Sequence, residues 1–196
     1  PFVRRSGASL PAFDFAVPGV SSMSADLHKY GYCSKGASVV LFRTEKLRQH
    51  MGFDGGPWPL GRMQTPTLAG TRPGGAIAAA WAVMNFLGVE GYRAKQKLVV
   101  QAREKIEAGV KRLGFEIIGA PQLGIVSFTH ATADCFSLVR KLHARGWVTA
   151  MLIQPPAFHL MLSPKHAEAA DVYLADLEAA MGESETAGPA AQTYGR

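Results

Sequence analysis

Apolar and polar positions along the chain follow two different rhythms, and the rhythm changes near residue 71. In the first stretch, Ala37 to Phe42 is a short, nearly unbroken apolar run of the kind that forms a buried strand. Val20 to Asp26 is small, polar and compatible with extended backbone. The connection between them, Leu27 to Gly36, is polar and bears glycine. Thr44 to His50 predicts a short helix or turn. Gly52 to Leu60, with Gly55, Gly56, Pro57 and Pro59 close together, reads as irregular, and residues 1–18 read as a meandering loop around Pro11, Phe13, Phe15 and Pro18.

Thr71–Gly75 introduces a long stretch of helical spacing. Ala76 to Leu87 is rich in alanine and larger apolar residues, Gly88 breaks the pattern, and Leu98, Ala102, Ile106 and Val110 restore it up to Arg112. After Gly114 the elements are short: strands at Phe115–Ile118 and Gly124–Thr129, a helix over Ala133–Arg145 ended by Gly146, strands at Trp147–Leu152 and His159–Leu162, and a last helix over Pro164–Met181. This is an α/β chain in four parts. Residues 1–70 are an incomplete α/β piece, 71–112 are linking helices, 113–181 form a small α+β domain, and 182–196, rich in Gly, Ala, Ser and Glu, read as a disordered tail.

Composition narrows the function classes. The 196 residues are 47% hydrophobic and 18% charged, which supports a packed core and excludes a disordered chain. No run approaches the eighteen or so unbroken apolar residues of a membrane span. Two cysteines, Cys33 and Cys135, do not make a disulfide scaffold and suit a reducing, cytoplasmic setting. The formal charge of +6 is diffuse, and its densest part (Arg93, Lys95, Lys97, Arg103, Lys105, Lys111 and Arg112) is interleaved with Glu104 and Glu107. It reads as a solvated helix face and not as a nucleic-acid surface. None of the six histidines has Cys or His partners at ligand spacing, so no metal site is expected. No serine sits in a nucleophile-elbow setting. The chain opens on Pro1 and is expected to be cut from something longer.

The chemically informative stretch runs from Ser22 to Gly36. Lys29 follows a strand of small residues and is flanked by His28, Tyr30 and Tyr32. An imine-forming lysine must shed a proton that free lysine holds to about pH 10.4, and burial or nearby cations ease that loss. His28 and Lys35 are candidate neighbours that could also contact an anion. Small residues at Ser22, Ser24, Ala25 and Gly31 would let a flat cofactor approach the backbone. On residue chemistry alone, the same stretch also fits an ordinary surface loop.

The order Ser-Ala-Asp-x-His-Lys-Tyr-Gly-Tyr-x-x-Lys-Gly at residues 24–36 resembles the cofactor-lysine segment of the pyridoxal-phosphate-dependent group II decarboxylase family. The likeness continues collinearly through Phe13–Phe15, Pro66–Gly75, Gly91–Tyr92, Gly119–Gln122, Gly146–Trp147 and Gln154–Pro156, and covers roughly residues 12 to 181. Within the family the chain is most like the lyases of phosphorylated sphingoid bases. The resemblance implies a fold-type-I transferase: residues 1–70 as the C-terminal part of the cofactor-binding large domain, then the small domain. It implies pyridoxal 5'-phosphate, with Lys29 linking to the cofactor and later moving a proton, and His28 beside the cofactor or in a structural hydrogen bond. Lys35 would serve the cofactor or substrate phosphate or remain a surface lysine. Arg72 would take a phosphate-side or subunit-interface role or simply mark a helix start. The implied reaction is retro-aldol cleavage of a phosphorylated amine to a fatty aldehyde and phosphoethanolamine; the alternative is amino-acid decarboxylation. A homodimer is expected. The ring-pairing aspartate and most phosphate-holding residues of the family would lie upstream of Pro1, so the chain alone is expected to be inactive.

Overall fold

A computed structural model describes residues 2–5, 7, 9–67 and 69–184. In chain order the elements are α1 (Phe2–Arg5), β1 (Ser22–Asp26), β2 (Ser38–Phe42), α2 (Glu45–Arg48) running into a 3-10 turn (Gln49–Met51), β3 (Phe53–Trp58), β4 (Gly61–Thr65), α3 (Gly74–Arg112), β5 (Glu116–Ile117), β6 (Ile125–Thr129), α4 (Cys135–Ala144), β7 (Ala150–Leu152), β8 (Ala157–Met161) and α5 (His166–Gly182). They fall into two compact units, one of Ser9–Gly91 and one of the described residues in Pro1–Ala8 and Tyr92–Arg196.

In the first unit, β1 and β2 pair antiparallel, from Ser22 opposite Phe42 to Asp26 opposite Ser38. Arg43, just past β2, staples the leading segment to this pair. Its guanidinium donates to the carbonyls of Val20, Phe15 and Val17 at 2.6–2.8 Å and lies 5.6 Å above the Phe15 ring. Thr44 caps α2 by accepting from the Leu47 N–H. The first part of α3 packs Ala76, Ala80 and Val83 against Leu27, Cys33 and Ala37.

The stretch expected to be irregular is instead a hairpin of β3 and β4, with a register shift between Asp54 and Pro57. The Gly55–Gly56 pair and the two prolines hide the strand alternation, and the bulge absorbs them. Asp54 closes the hairpin: its carboxylate accepts from Arg62, from the Gly56 N–H and from Gln64. These contacts, Arg62 foremost, hold the Asp54 carboxyl far below the ordinary carboxylate range.

The second unit is an antiparallel sheet in the order β5-β6-β8-β7, with Val126 opposite Leu160 and Phe128 opposite Phe158. Val99, Ala102, Ile106 and Val110 of α3, Leu138, Val139 and Leu142 of α4, and Tyr173, Leu174 and Leu177 of α5 share one core with Val126, Phe128 and Phe158 of the sheet. Phe128 and Phe158 stack with centroids 4.8 Å apart, and Phe115 meets both edge-on. Each such fully buried side chain stabilises the unit by about 1.5–3 kcal/mol relative to exposure. The other sheet face carries Ile125, Ser127, His159 and Met161.

Three boundaries differ from the sequence expectations. The units divide at Gly91, not at residues 70 and 112, because the later half of α3 contributes its apolar stripe to the second core. The helix is broken where expected, at Gly88 (φ 55°, ψ −173°). The strand expected from Trp147 begins only at Ala150. The Trp147 N–H donates to Leu142 O at the end of α4, and its indole N–H donates to Asp176 at 2.7 Å, so Trp147 serves the helix end. Gly182, the first residue of the expected disordered tail, is still in α5. Buried Lys141 donates to the carbonyls of Ala180 (3.0 Å) and Glu183 (2.7 Å) and so satisfies the helix C-terminus. Residues 185–196 of that expected tail lie outside the described residues.

Gly109 of α3 faces Leu174 of α5 in this core: a Cβ there would lie 2.3 and 2.5 Å from the two terminal carbons of Leu174. Alanine would gain about 1 kcal/mol of helix propensity, but overpacking costs about 1–3 kcal/mol, and contacts this short put the cost toward its upper end. Gly109→Ala is therefore expected to lower the Tm of the second unit in a thermal melt, and an unchanged or raised Tm would contradict this packing.

Candidate active site

Lys29 stands on the loop between β1 and β2, and the backbone of that loop is closed on itself. The Lys29 N–H donates to Asp26 O at 3.1 Å and the Tyr32 N–H to Lys29 O at 3.0 Å, giving two successive turns. Leu27 spends both of its peptide groups here, its N–H on Ala37 O and its carbonyl on the Cys33 N–H, each at 3.1 Å. Tyr32 takes a positive φ of 56°, a conformation that a residue with a side chain holds only when its surroundings over-determine it. Cys33 and Ala37 then anchor the end of the loop in the small buried cluster.

Gly31 was expected to be small so that a cofactor could approach. The structure supplies a different reason: a Cβ at Gly31 would lie 2.3 Å from Leu27 O and 2.9 Å from Leu27 Cα. The glycine lets the loop cross its own backbone.

The Lys29 side chain is 67% exposed, and its Nζ is 2.7 Å from Asp26 Oδ2. Asp26 Oδ1 accepts from Ser38 Oγ at 2.6 Å. The hydrogen bond from Lys29, then that from Ser38, hold the Asp26 carboxyl below its usual 3.8, so it is ionised at neutral pH. The sign follows directly: this pairing is in place above about pH 3.8 and is lost as pH falls through the lowered value. Asp26 lies inside the Ser24–Gly36 motif, yet its role was not anticipated. The signal was the carboxylate three residues before the lysine at a strand end.

His28 is half-buried, with its Nδ1 buried and without a hydrogen-bond partner. Lys35 is exposed, just before the tight turn at Gly36 (φ 98°). Arg72 is exposed ahead of α3, and its Nη1 donates to Thr67 Oγ1 at 2.9 Å. The structure thus joins Lys29 to Asp26 and Ser38, whereas neither Lys35 nor Arg72 bonds to Lys29 or His28. An open cleft of about 390 Å³ in the same unit, lined by Arg48, Asp54, Gln64 and others, includes none of the four expected site residues. Among the described residues no cluster of His, Cys, Asp or Glu could hold a metal ion, and no helix is long and apolar enough to cross a membrane.

The chain as a whole has a structural counterpart among solved proteins. The sphingosine-1-phosphate lyase of Burkholderia pseudomallei matches with a TM-score of 0.87 at 34% identity, over 92% of this chain and 42% of that one. The architecture is that of the fold-type-I enzymes that depend on pyridoxal phosphate. The sphingosine-1-phosphate lyase of Arabidopsis thaliana is 37% identical over 182 residues, which is 92% of this chain and 34% of that protein. Over nine-tenths of its length the chain is therefore similar to sphingosine-1-phosphate lyases. A probable L-tyrosine/L-aspartate decarboxylase of Methanothermobacter thermautotrophicus is 35% identical over 179 residues, 91% of this chain and 49% of that protein. The chain spans about a third of the length of the curated lyases it matches. No protein-family profile matches it.

Gly31→Ala is expected to destabilise the first unit by roughly 1 kcal/mol or more, since the native backbone there cannot accept a Cβ. Gly75→Ala, at a helical position with open space around it, is expected to be neutral or stabilising by up to about 1 kcal/mol. Chemical denaturation of the two variants checks the contrast, and equal effects would contradict the loop crossing.

Proposed function

We propose that the protein carrying this chain is a pyridoxal-phosphate-dependent carbon–carbon lyase acting on a phosphorylated sphingoid base. The observation that carries this reading is the Lys29 amine, presented from a backbone-locked loop in a chain with 34% identity and a TM-score of 0.87 to a solved lyase. The residues present fit the cofactor. Lys29 offers an accessible primary amine, and the unpartnered Nδ1 of His28 is a buried polar atom that a cofactor group would satisfy. Lys29 and His28 would hold the cofactor, and Lys35 or Arg72 would serve a phosphate.

When bound, pyridoxal phosphate supplies an electron sink conjugated to the substrate nitrogen. Lys29 ties the cofactor down, and after yielding its place to the substrate amine it moves a proton at Nζ. In the retro-aldol reaction the substrate hydroxyl would lose its proton as the neighbouring carbon–carbon bond breaks. The carbon left behind would take a proton delivered by Lys29 Nζ, and the products would be a fatty aldehyde and phosphoethanolamine. The exposed cations Lys35 and Arg72 would bind the substrate's phosphate and so orient that bond.

The likeness to a decarboxylase at 35% identity keeps a second reading in view, in which a substrate carboxylate leaves as carbon dioxide. Identifying the released product, aldehyde or carbon dioxide, separates the two. A homodimer is part of the proposal. It is supported by the exposed apolar residues Ile77, Trp81, Met84 and Phe86 on the first part of α3. A cytoplasmic setting accords with two buried, unbridged cysteines.

Two substitutions test the site. Lys29→Ala is expected to abolish both the visible absorbance of the cofactor-linked protein and essentially all turnover, and retention of both would defeat the assignment. Lys35→Ala is expected to leave that absorbance intact. It should lower kcat/KM for phosphorylated substrate about ten- to a hundredfold, the scale of a charge-assisted hydrogen bond of about 1.5–3 kcal/mol. Loss of cofactor binding instead would assign Lys35 to the cofactor phosphate.

A further inference from the structure

Asp26 is addressed from two sides. It ends β1 directly opposite Ser38 of β2, so Ser38 Oγ reaches Oδ1 at 2.6 Å across the strand pair. Its other oxygen, Oδ2, meets Lys29 Nζ at 2.7 Å. The backbone turn from Asp26 O to the Lys29 N–H brings the two side chains together without help from any ligand. One oxygen is thus spent on orientation and the other is aimed at the lysine.

We propose that Asp26, oriented by Ser38, is a positioning residue that docks the Lys29 ammonium whenever that lysine is not covalently engaged. The proposal deepens the reading of Lys29 as the cofactor-linking residue and rests on it. An exposed ion pair adds little to stability, so its effect lies in place. While the Lys29 amino group is held against Asp26 Oδ2 it is not directed at a carbonyl carbon, and once set free it has a fixed seat to return to. Asp26 therefore competes with attack by Lys29 and receives the amino group after it yields to an incoming amine.

The test needs no turnover. Lysines of the folded chain are acetylated with limiting acetic anhydride near neutral pH, and the rate at each is read by peptide mass spectrometry against Lys46 and Lys97. Asp26→Asn keeps an oxygen for Ser38 while removing the charge. It is expected to raise the Lys29 rate roughly two- to fivefold, the scale of an exposed ion pair, and Ser38→Ala is expected to raise it by less. An unchanged Lys29 rate in Asp26→Asn overturns the proposal. Should Lys46 rise in parallel, showing a loosened unit, the Ser38→Ala comparison decides, and no change at Lys29 there overturns it as well. A second readout traps pyridoxal phosphate on the chain with borohydride. Asp26→Asn should raise the initial rate of trapping at Lys29 at a fixed neutral pH roughly two- to fivefold, and an unchanged rate counts against the proposal. Absence of trapping at Lys29 in both proteins, with the acetylation difference intact, would remove the cofactor reading and leave Asp26 as a docking point for the lysine.

Discussion

Leu27 is the residue through which the loop carrying Lys29 both leaves and returns. Its N–H bonds the Ala37 carbonyl and its carbonyl accepts from the Cys33 N–H, so the loop is pinned at both peptide groups of one residue. Ordering a loop costs about 1–2 kcal/mol per residue in backbone entropy, and few side chains here are buried enough to offset that. The offset comes from hydrogen bonds, from a glycine that lets the chain cross itself, and from the anchoring of Cys33 and Ala37. The result combines a fixed backbone with an exposed amine, the combination a covalent anchor for a cofactor requires: the position is set while the nitrogen stays accessible.

The two units solve the burial problem differently. The second has a continuous core in which three aromatic rings, Phe115, Phe128 and Phe158, interlock beneath three helices. In the first, the buried cluster is small, formed by Cys33, Ala37 and Ala80, while Val39, Val40, Leu41, Trp81 and Phe86 are exposed. That apolar exposure is what supports the proposed homodimer. The lysine therefore sits on the less self-sufficient unit, and the local bonding of its loop must do what core packing does elsewhere.

Most of the elements were legible from periodicity. Ala102, Ile106 and Val110 line the core as their spacing predicts and the break falls at Gly88, but Leu98 is exposed and Val99 takes the core position beside it. The apolar run of β2 does form a strand, yet Val39, Val40 and Leu41 are exposed where a buried strand is expected, because the two-stranded pair β1–β2 leaves them uncovered among the described residues. The β3–β4 hairpin was not legible, since Gly55, Gly56 and Pro57 erase the alternation and the Asp54–Arg62 pair that closes it is visible only in three dimensions. Trp147 misleads for the opposite reason: an aromatic with high strand propensity is claimed by the end of α4 through its backbone N–H and by Asp176 of α5 through its indole N–H. At the site, Lys29 and His28 stood out because chemistry and motif agreed on them. Asp26 did not, because a carboxylate near a strand end is ordinary until its two oxygens are seen to face different partners. The closeness of Gly31 to the Leu27 backbone is visible only in three dimensions.

Lys141 carries a consequence for how the second unit comes apart. Its amino group is sunk beneath α5 and holds two carbonyls of that helix's final turn, while its own backbone belongs to α4. Helix ends ordinarily fray one residue at a time, because each lost bond is replaced by water. Here, loosening the last turn alone would leave a buried amino group with no acceptor, a state that costs far more than a frayed turn. The two helices are latched, so the end of α5 opens only when α4 also moves, and a region that would otherwise exchange with solvent freely becomes part of the unit's cooperative unfolding.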